Sequence, residues 1–280
     1  MNKIHIVTVA TESKYYFPYL IESCKKNNME LTVLGFGKKW EGFNWRFNLM
    51  REFLITLPLD DIICFVDGYD VICTRNLNEL KDTFYTIKNR TKCKIIVGYD
   101  NVMNKILNNI AKIYFTGDIN AGTYIGECKD LLDMFKTISD TDNSSDDQIL
   151  LNKYHNENNN MIYVDKKGEL FGCRVDGIKK DNMHKYYDFK NNNVYISNTT
   201  YRPFFIHGPD GQDFSIILNN LNYKCDNTIA QQLRKDTANT KTKILYFKLL
   251  NFKNKNIHNI YVITIIIIII IIFFVIRSYL

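Results

Sequence analysis

Two aspartates interrupt an apolar run at residues 62–71, IICFVDGYDV, with a glycine and a tyrosine between them. On an extended strand Asp67 and Asp70 point to opposite faces, but Gly68 permits a bend that turns both carboxylates to one side. Two such oxygens, with phosphate oxygens from a ligand, suit a hard octahedral cation such as Mn2+ or Mg2+. A solvated turn is the other reading. His207 lies in FFIHGPDG and is either a structural histidine or a third ligand, and imidazole would favour Mn2+ over Mg2+. Asp146 and Asp147 begin a helix within the stretch SSDDQILLNKY, where acids are explained by the helix dipole. Asn120 stands before Ala-Gly as a turn residue would. Trp40 and Tyr69 are core aromatics or flat faces for a base.

These side chains need elements to hold them. IHIVTV at 4–9 is a short β-branched strand, followed by FPYLIESCKKN with helical spacing. Leu31–Leu34 is a second strand, Trp45–Leu57 a helix, and Ile62–Val66 a continuous apolar strand of the buried, parallel type. Asn76 with Glu79 makes a capping box for a helix through Lys88, and Lys94–Gly98 is another strand. The alternation predicts a doubly wound α/β sheet with helices on both faces, in which ligands gather beyond the carboxyl ends of the strands. In the second half NAGTYIG (120–126) reads as a turn into a strand, KDLLDMF starts a helix, and Ile162–Val164 is a strand.

Composition excludes several classes. The net charge is +6. Seven basic residues and one acid between Arg234 and Lys255 account for all of it, so no phosphate-tracking surface is indicated and nucleic acid is not an expected partner. Seven scattered cysteines with no CxxC pair argue against a structural zinc site or a disulfide framework.

Ile260–Ile276 carries no charge; at about 1.5 Å per residue a helix there spans roughly 25 Å, the short end of the transmembrane range. Basic residues crowd its N-terminal flank and only Arg277 follows it, which places the large domain on the cytosolic side of a single-pass, C-terminally anchored protein, with a lumenal placement as the alternative. The start, MNKIHIVTVATES, reads as a first strand rather than a signal peptide.

Six blocks in order, IVTVATES, LGFGKKW, IICFVDGYDV, INAGTYIG, SSDDQILLNKY and FFIHGPDG with its LNNLNY, carry a resemblance. Over roughly residues 4–223 the chain resembles the glycosyltransferase domain of the multifunctional procollagen lysyl hydroxylases, and more distantly the collagen galactosyltransferases. The resemblance implies a GT-A fold, a Rossmann-type, mostly parallel sheet flanked by helices. It also implies a UDP-sugar donor, glucose or galactose, and a bound Mn2+. Asp67 and Asp70 fall on the family's metal-binding acidic motif and His207 on its third metal ligand. Thr11, Trp40 and Tyr69 fall on nucleotide-contacting positions, Asn120 on a donor-sugar contact, and Asp146 and Asp147 on an acidic motif needed for transfer. The expected organisation is a transferase domain at 1–230, a basic stalk at 231–259 and a transmembrane helix at 260–276.

Departures accompany the likeness. EGFNWRF replaces a glycine-rich, lysine-bearing segment, so Arg46 is expected to take that lysine's place on the phosphates. Pro209 replaces an asparagine beside the metal ligand, and the stretch between Asp100 and Asn120 is shortened and lacks the family's tryptophans. No oxygenase module follows, so lysyl hydroxylation is not expected. The expected activity is hexosyl transfer to a hydroxyl of a protein or glycan acceptor, hydroxylysine or galactosyl-hydroxylysine of a collagen-like protein among them. The alternative is a degenerate, membrane-tethered UDP-sugar-binding or scaffold protein.

Overall fold

Strand propensity and full burial set the centre of the molecule. In this computed structural model, residues 2–103, 117–138, 145–175 and 180–237 are described, with a few isolated positions between them. In chain order the strands are β1 (Ile4–Val9), β2 (Leu31–Leu34), β3 (Ile62–Val66), β4 (Val71–Cys73), β5 (Ile95–Tyr99), β6 (Asn101–Val102) and β7 (Ile119–Glu127). They continue with β8 (Ile162–Asp165), β9 (Phe171–Gly172), β10 (Arg174–Val175), β11 (Tyr187–Lys190), β12 (Asn193–Ile196) and β13 (Phe205–His207). The helices are α1 (Phe17–Lys26), α2 (Phe43–Leu54), α3 (Leu80–Thr91), α4 (Cys128–Ile138), α5 (Asp147–Glu157) and α6 (Ser215–Asn220).

Six strands form the main sheet in the order β2-β1-β3-β7-β5-β8. β1 is parallel to β2 and β3, and β5 is parallel to β8, but β7 runs antiparallel to both β3 and β5. The sheet is therefore mixed rather than wholly doubly wound. β3 shows why it sits in the middle: every residue is buried. Ile63 and Phe65 face a layer with α2, α4 and α5, while Ile62, Cys64 and Val66 face a layer with α1 and α3. A smaller three-stranded sheet, β4-β13-β9, lies beyond the end of β3 and carries His207.

Three local expectations change. The predicted turn at Asn120 is absent, because Ile119–Glu127 is extended and buried throughout. The capping box at Asn76 does not form. The Asn76 side chain accepts from Asn78 N, Glu79 pairs with Arg75, and a single 3-10 turn, Leu77–Glu79, leads into α3. The helix predicted over Trp45–Leu57 begins earlier and ends at Leu54.

Residues Met1–Leu233 form one compact unit and Arg234–Leu280 a second. Most of the predicted stalk (231–259) and all of the predicted span (260–276) lie outside the described residues. Among the described residues no helix is long and apolar enough to cross a membrane.

One buried carboxylate ties the first strand to the third. Asp61 accepts from Lys3 N at 2.8 Å and bonds His5 Nε2 at 2.8 Å. Burial opposes its charge, yet the bonds from His5 and Lys3 outweigh it and hold the carboxyl below its ordinary value. A depressed pKa adds stability that is present above the unfolded value, near 4, and is lost as pH falls through the folded one. Asp61→Asn is expected to cost about 1–3 kcal/mol at pH 7 in denaturant melts, a gap that closes toward pH 3.

Candidate active site

The DGYD segment is the passage from one sheet to another. β3 ends at Val66 and β4 begins at Val71, so the four residues between them turn at the edge of the main sheet. Gly68 gives clearance there. A Cβ at that position would lie 3.0 Å from Val9 O and 3.1 Å from Thr8 Oγ1, so a side chain would press the segment a few tenths of an ångström away from the end of β1. Two pairings then fix the aspartates. On one side Asp67 N donates to Gly122 O of β7 at 2.8 Å. On the other, β13 lies antiparallel to β4 with His207 opposite Val71, and Gly208 N donates to Asp70 O at 2.9 Å.

Asp67, Asp70 and His207 are thereby brought together, each with one ligand atom within 4.8 Å of the others. His207 Nε2 lies 3.3 Å from Asp70 Oδ1 and 3.6 Å from Asp67 Oδ2. The imidazole is 3% exposed, and its Nε2 is buried without a hydrogen-bond partner. Its Nδ1 lies 2.8 Å from Asn120 Oδ1, which also accepts from Gly122 N at 3.0 Å. An amide oxygen can only accept, so Nδ1 carries a proton, and Nε2 faces the two carboxylates, where a bound cation would take the place of its proton. That donor set, two oxygens and one oriented imidazole nitrogen, fits a divalent cation. Burial disfavours a charge on His207, but the Asp70 carboxylate more than offsets this and raises its pKa well above the ordinary value.

Arg46 is not turned to open space. Its Nη1 donates to Asp67 Oδ1 and its Nη2 to Asp147 Oδ2, and the residue is 8% exposed. Burial pushes the Asp147 carboxyl up to about 6, against the pull of Arg46 and with the charge of Asp67 adding to the rise. The two acids at the start of α5 divide their work. Asp146 is the N-cap, accepting from Gln148 N at 3.0 Å and Ile149 N at 3.3 Å, while Asp147 is buried and turns inward to Arg46.

Tyr69 is half-buried, and its hydroxyl accepts from Thr11 N at 2.9 Å and lies 3.2 Å from Thr11 Oγ1. It thus joins the end of β1 to the aspartate segment. Trp40 is exposed and packs edge-on against Phe43 and Trp45, both at 5.7 Å between ring centres. Two site residues went unread in the sequence. Gly122 forms the wall behind Asp67 and His207. Asp100 follows β5, accepts from Gln148 Nε2 at 3.3 Å, and has its pKa raised by burial. Its place at the carboxyl end of a strand was the available signal.

The PLOD GT domain family matches residues 1–235. The chain belongs to that family. It is a glycosyltransferase domain by descent, and its sequence relatives agree. It is 25% identical over 227 residues to a procollagen-lysine,2-oxoglutarate 5-dioxygenase of Drosophila melanogaster, covering 74% of this chain and 30% of that protein. It is 24% identical over 181 residues to a multifunctional procollagen lysine hydroxylase and glycosyltransferase of Caenorhabditis elegans, covering 60% of this chain and 23% of that one. The match therefore spans less than a third of either relative's length. The fold is also similar to a glycosyltransferase involved in glycosylating the major capsid of PBCV-1, with 10% identity, a TM-score of 0.48 and coverage of 73% of this chain and 94% of the other. That likeness is too slight to bear on function.

Proposed function

We propose that this PLOD GT domain transfers a hexose, glucose or galactose, from a UDP-sugar to a hydroxyl acceptor, with Mn2+ held by Asp67, Asp70 and His207. The observation that carries it is the buried, unpartnered His207 Nε2 facing the two carboxylates, on a ring oriented by the bond between its Nδ1 and Asn120. When bound, the cation supplies Lewis-acid neutralisation of the diphosphate leaving group. The protein's own part is orientation. Thr11, Tyr69 and Trp40 would offer hydroxyl and aromatic surface to the nucleotide, and Asn120, bonded to His207, would contact the donor sugar. Asp147 lies outside the cation triad and the helix cap, and is the carboxylate suited to take the acceptor's proton. The names of the sequence relatives support hydroxylysine or galactosyl-hydroxylysine of a collagen-like protein as the acceptor.

The test is hydrolysis of UDP-glucose or UDP-galactose by the full chain, followed by release of UDP. Chelation should stop it and Mn2+ restore it, and Asp67→Ala should lower it at least about a hundredfold. Full activity in that variant overturns the reading. Ile260–Ile276 is proposed to hold the domain to a membrane, with the domain cytosolic. Unmodified Asn89, Asn143 and Asn198 in cell-derived protein is the expected result, and an N-glycan on any of them places the domain in the lumen.

A further inference from the structure

Asp67 is divided between two claimants. Its Oδ2 lies 3.6 Å from His207 Nε2, on the side of the cation triad. Its Oδ1 accepts from Arg46 Nη1. The guanidinium carbon lies 5.7 Å and 5.8 Å from the ring centres of Phe43 and Phe65, and the residue is 8% exposed. It is thus paired in a slot where little water competes.

A fixed positive charge on a carboxylate does there what a divalent cation would do: it neutralises the oxygens and makes their burial tolerable. Both positive charges cannot draw fully on one carboxylate, because each lowers the charge available to the other and the two repel. The second arm of the guanidinium settles which of the two can let go. Nη2 is bonded to Asp147, so Arg46 retains a buried carboxylate partner if Asp67 turns away. Its Nε is buried with no hydrogen-bond partner, so no third bond locks the side chain against a small shift.

We propose that Arg46 is the resident counter-ion of the cation-free site, and that a divalent cation binds by drawing Asp67 away from it and leaving the guanidinium to Asp147. The proposal rests on reading Asp67, Asp70 and His207 as a cation site. Arginine suits the task because it stays charged and is weakly hydrated, so it can sit buried between acids without a bound metal. Its presence lets the domain fold with three clustered carboxylates before loading, and it lowers the affinity for the bare cation. It also connects occupancy of the cation site to Asp147, since the two share one guanidinium.

The experiment is a titration of the full chain with Mn2+ and no nucleotide, with free Mn2+ read by electron paramagnetic resonance. Arg46→Gln is expected to bind Mn2+ about tenfold tighter than the wild type. Arg46→Lys, which keeps the charge, should stay within about threefold. Thermal melts add a second readout: without metal Arg46→Gln melts below the wild type, and Mn2+ raises its midpoint by more. Should Arg46→Gln not fold, Arg46→Met, which keeps the stem in the aromatic slot, carries the same expectation. Folded variants that bind Mn2+ no tighter than the wild type overturn the proposal alone. A wild type that binds no Mn2+ at a single site overturns the cation-site reading and the proposal with it.

Discussion

Replacing Gly122 by alanine is expected to abolish cation binding, and all cation-dependent turnover, in a chain that still folds. A Cβ at this position would lie 2.4 Å from His207 Cε1 and 2.5 Å from Asp67 Oδ2, well inside contact distance for both. Both neighbours are carried on backbone that is held in place, so the side chains themselves must swing out of the cluster. Gly122 O holds Asp67 N, β7 is paired to β3 and β5 on its two sides, and β13 is held between β4 and β9. The methyl group must displace the imidazole or the carboxylate by more than the roughly 0.5 Å that a preorganised site tolerates. A loss of Mn2+ affinity of at least about a hundredfold, with a cooperative melt retained, is the expected outcome. Calorimetric titration checks it, and wild-type affinity in the variant would show that these three residues do not hold the cation.

The second large effect lies away from the chemistry. Asp165 ends β8 at 1% exposure, and its carboxylate gathers four backbone amides. Gly168 N and Glu169 N donate to Oδ1, both at 3.0 Å, and Leu170 N and Phe171 N donate to Oδ2 at 2.8 and 3.0 Å. It thereby folds the turn that delivers β9 alongside β13 and His207. Asp165→Ala leaves several buried donors without acceptors, and about 3–5 kcal/mol of stability should be lost. For a domain of this size that lowers the melting point by on the order of 10 °C. A shift of only a degree or two in calorimetry would contradict this role for Asp165.

The candidate cation residues were only half legible: DGYD at a strand end and HG after an apolar run can be seen in a linear text, but a solvated turn and a structural histidine fitted them as well until the family resemblance was added. The sense of β7 was not legible at all. A strand buried on both faces has the same apolar pattern whether it runs parallel or antiparallel, so INAGTYIGE carries no mark of direction. The error at Asn120 has the same root, since an Asn-Ala-Gly sequence reads as a turn until tertiary pairing overrides it. Gly122 was invisible for another reason: its role is an absence of side chain, defined only by what stands opposite. Gly68 was noticed, but for a bend, whereas the structure makes it a matter of clearance from Val9 and Thr8. Arg46 was expected on phosphates; its bridge between Asp67 and Asp147, the latter 101 positions away, is a pairing that no local pattern announces.

The reversed strand has a consequence for how such a site can change over time. β7 enters the sheet at the edge where β3 and β5 leave it. Asn120 and Gly122 therefore come from the body of a strand rather than from a connecting loop. Ladder hydrogen bonds on both long sides hold that wall in register with β3 and β5. A change at Asn120 or Gly122 is therefore a change in the sheet itself, and it must be met by both neighbouring strands at once.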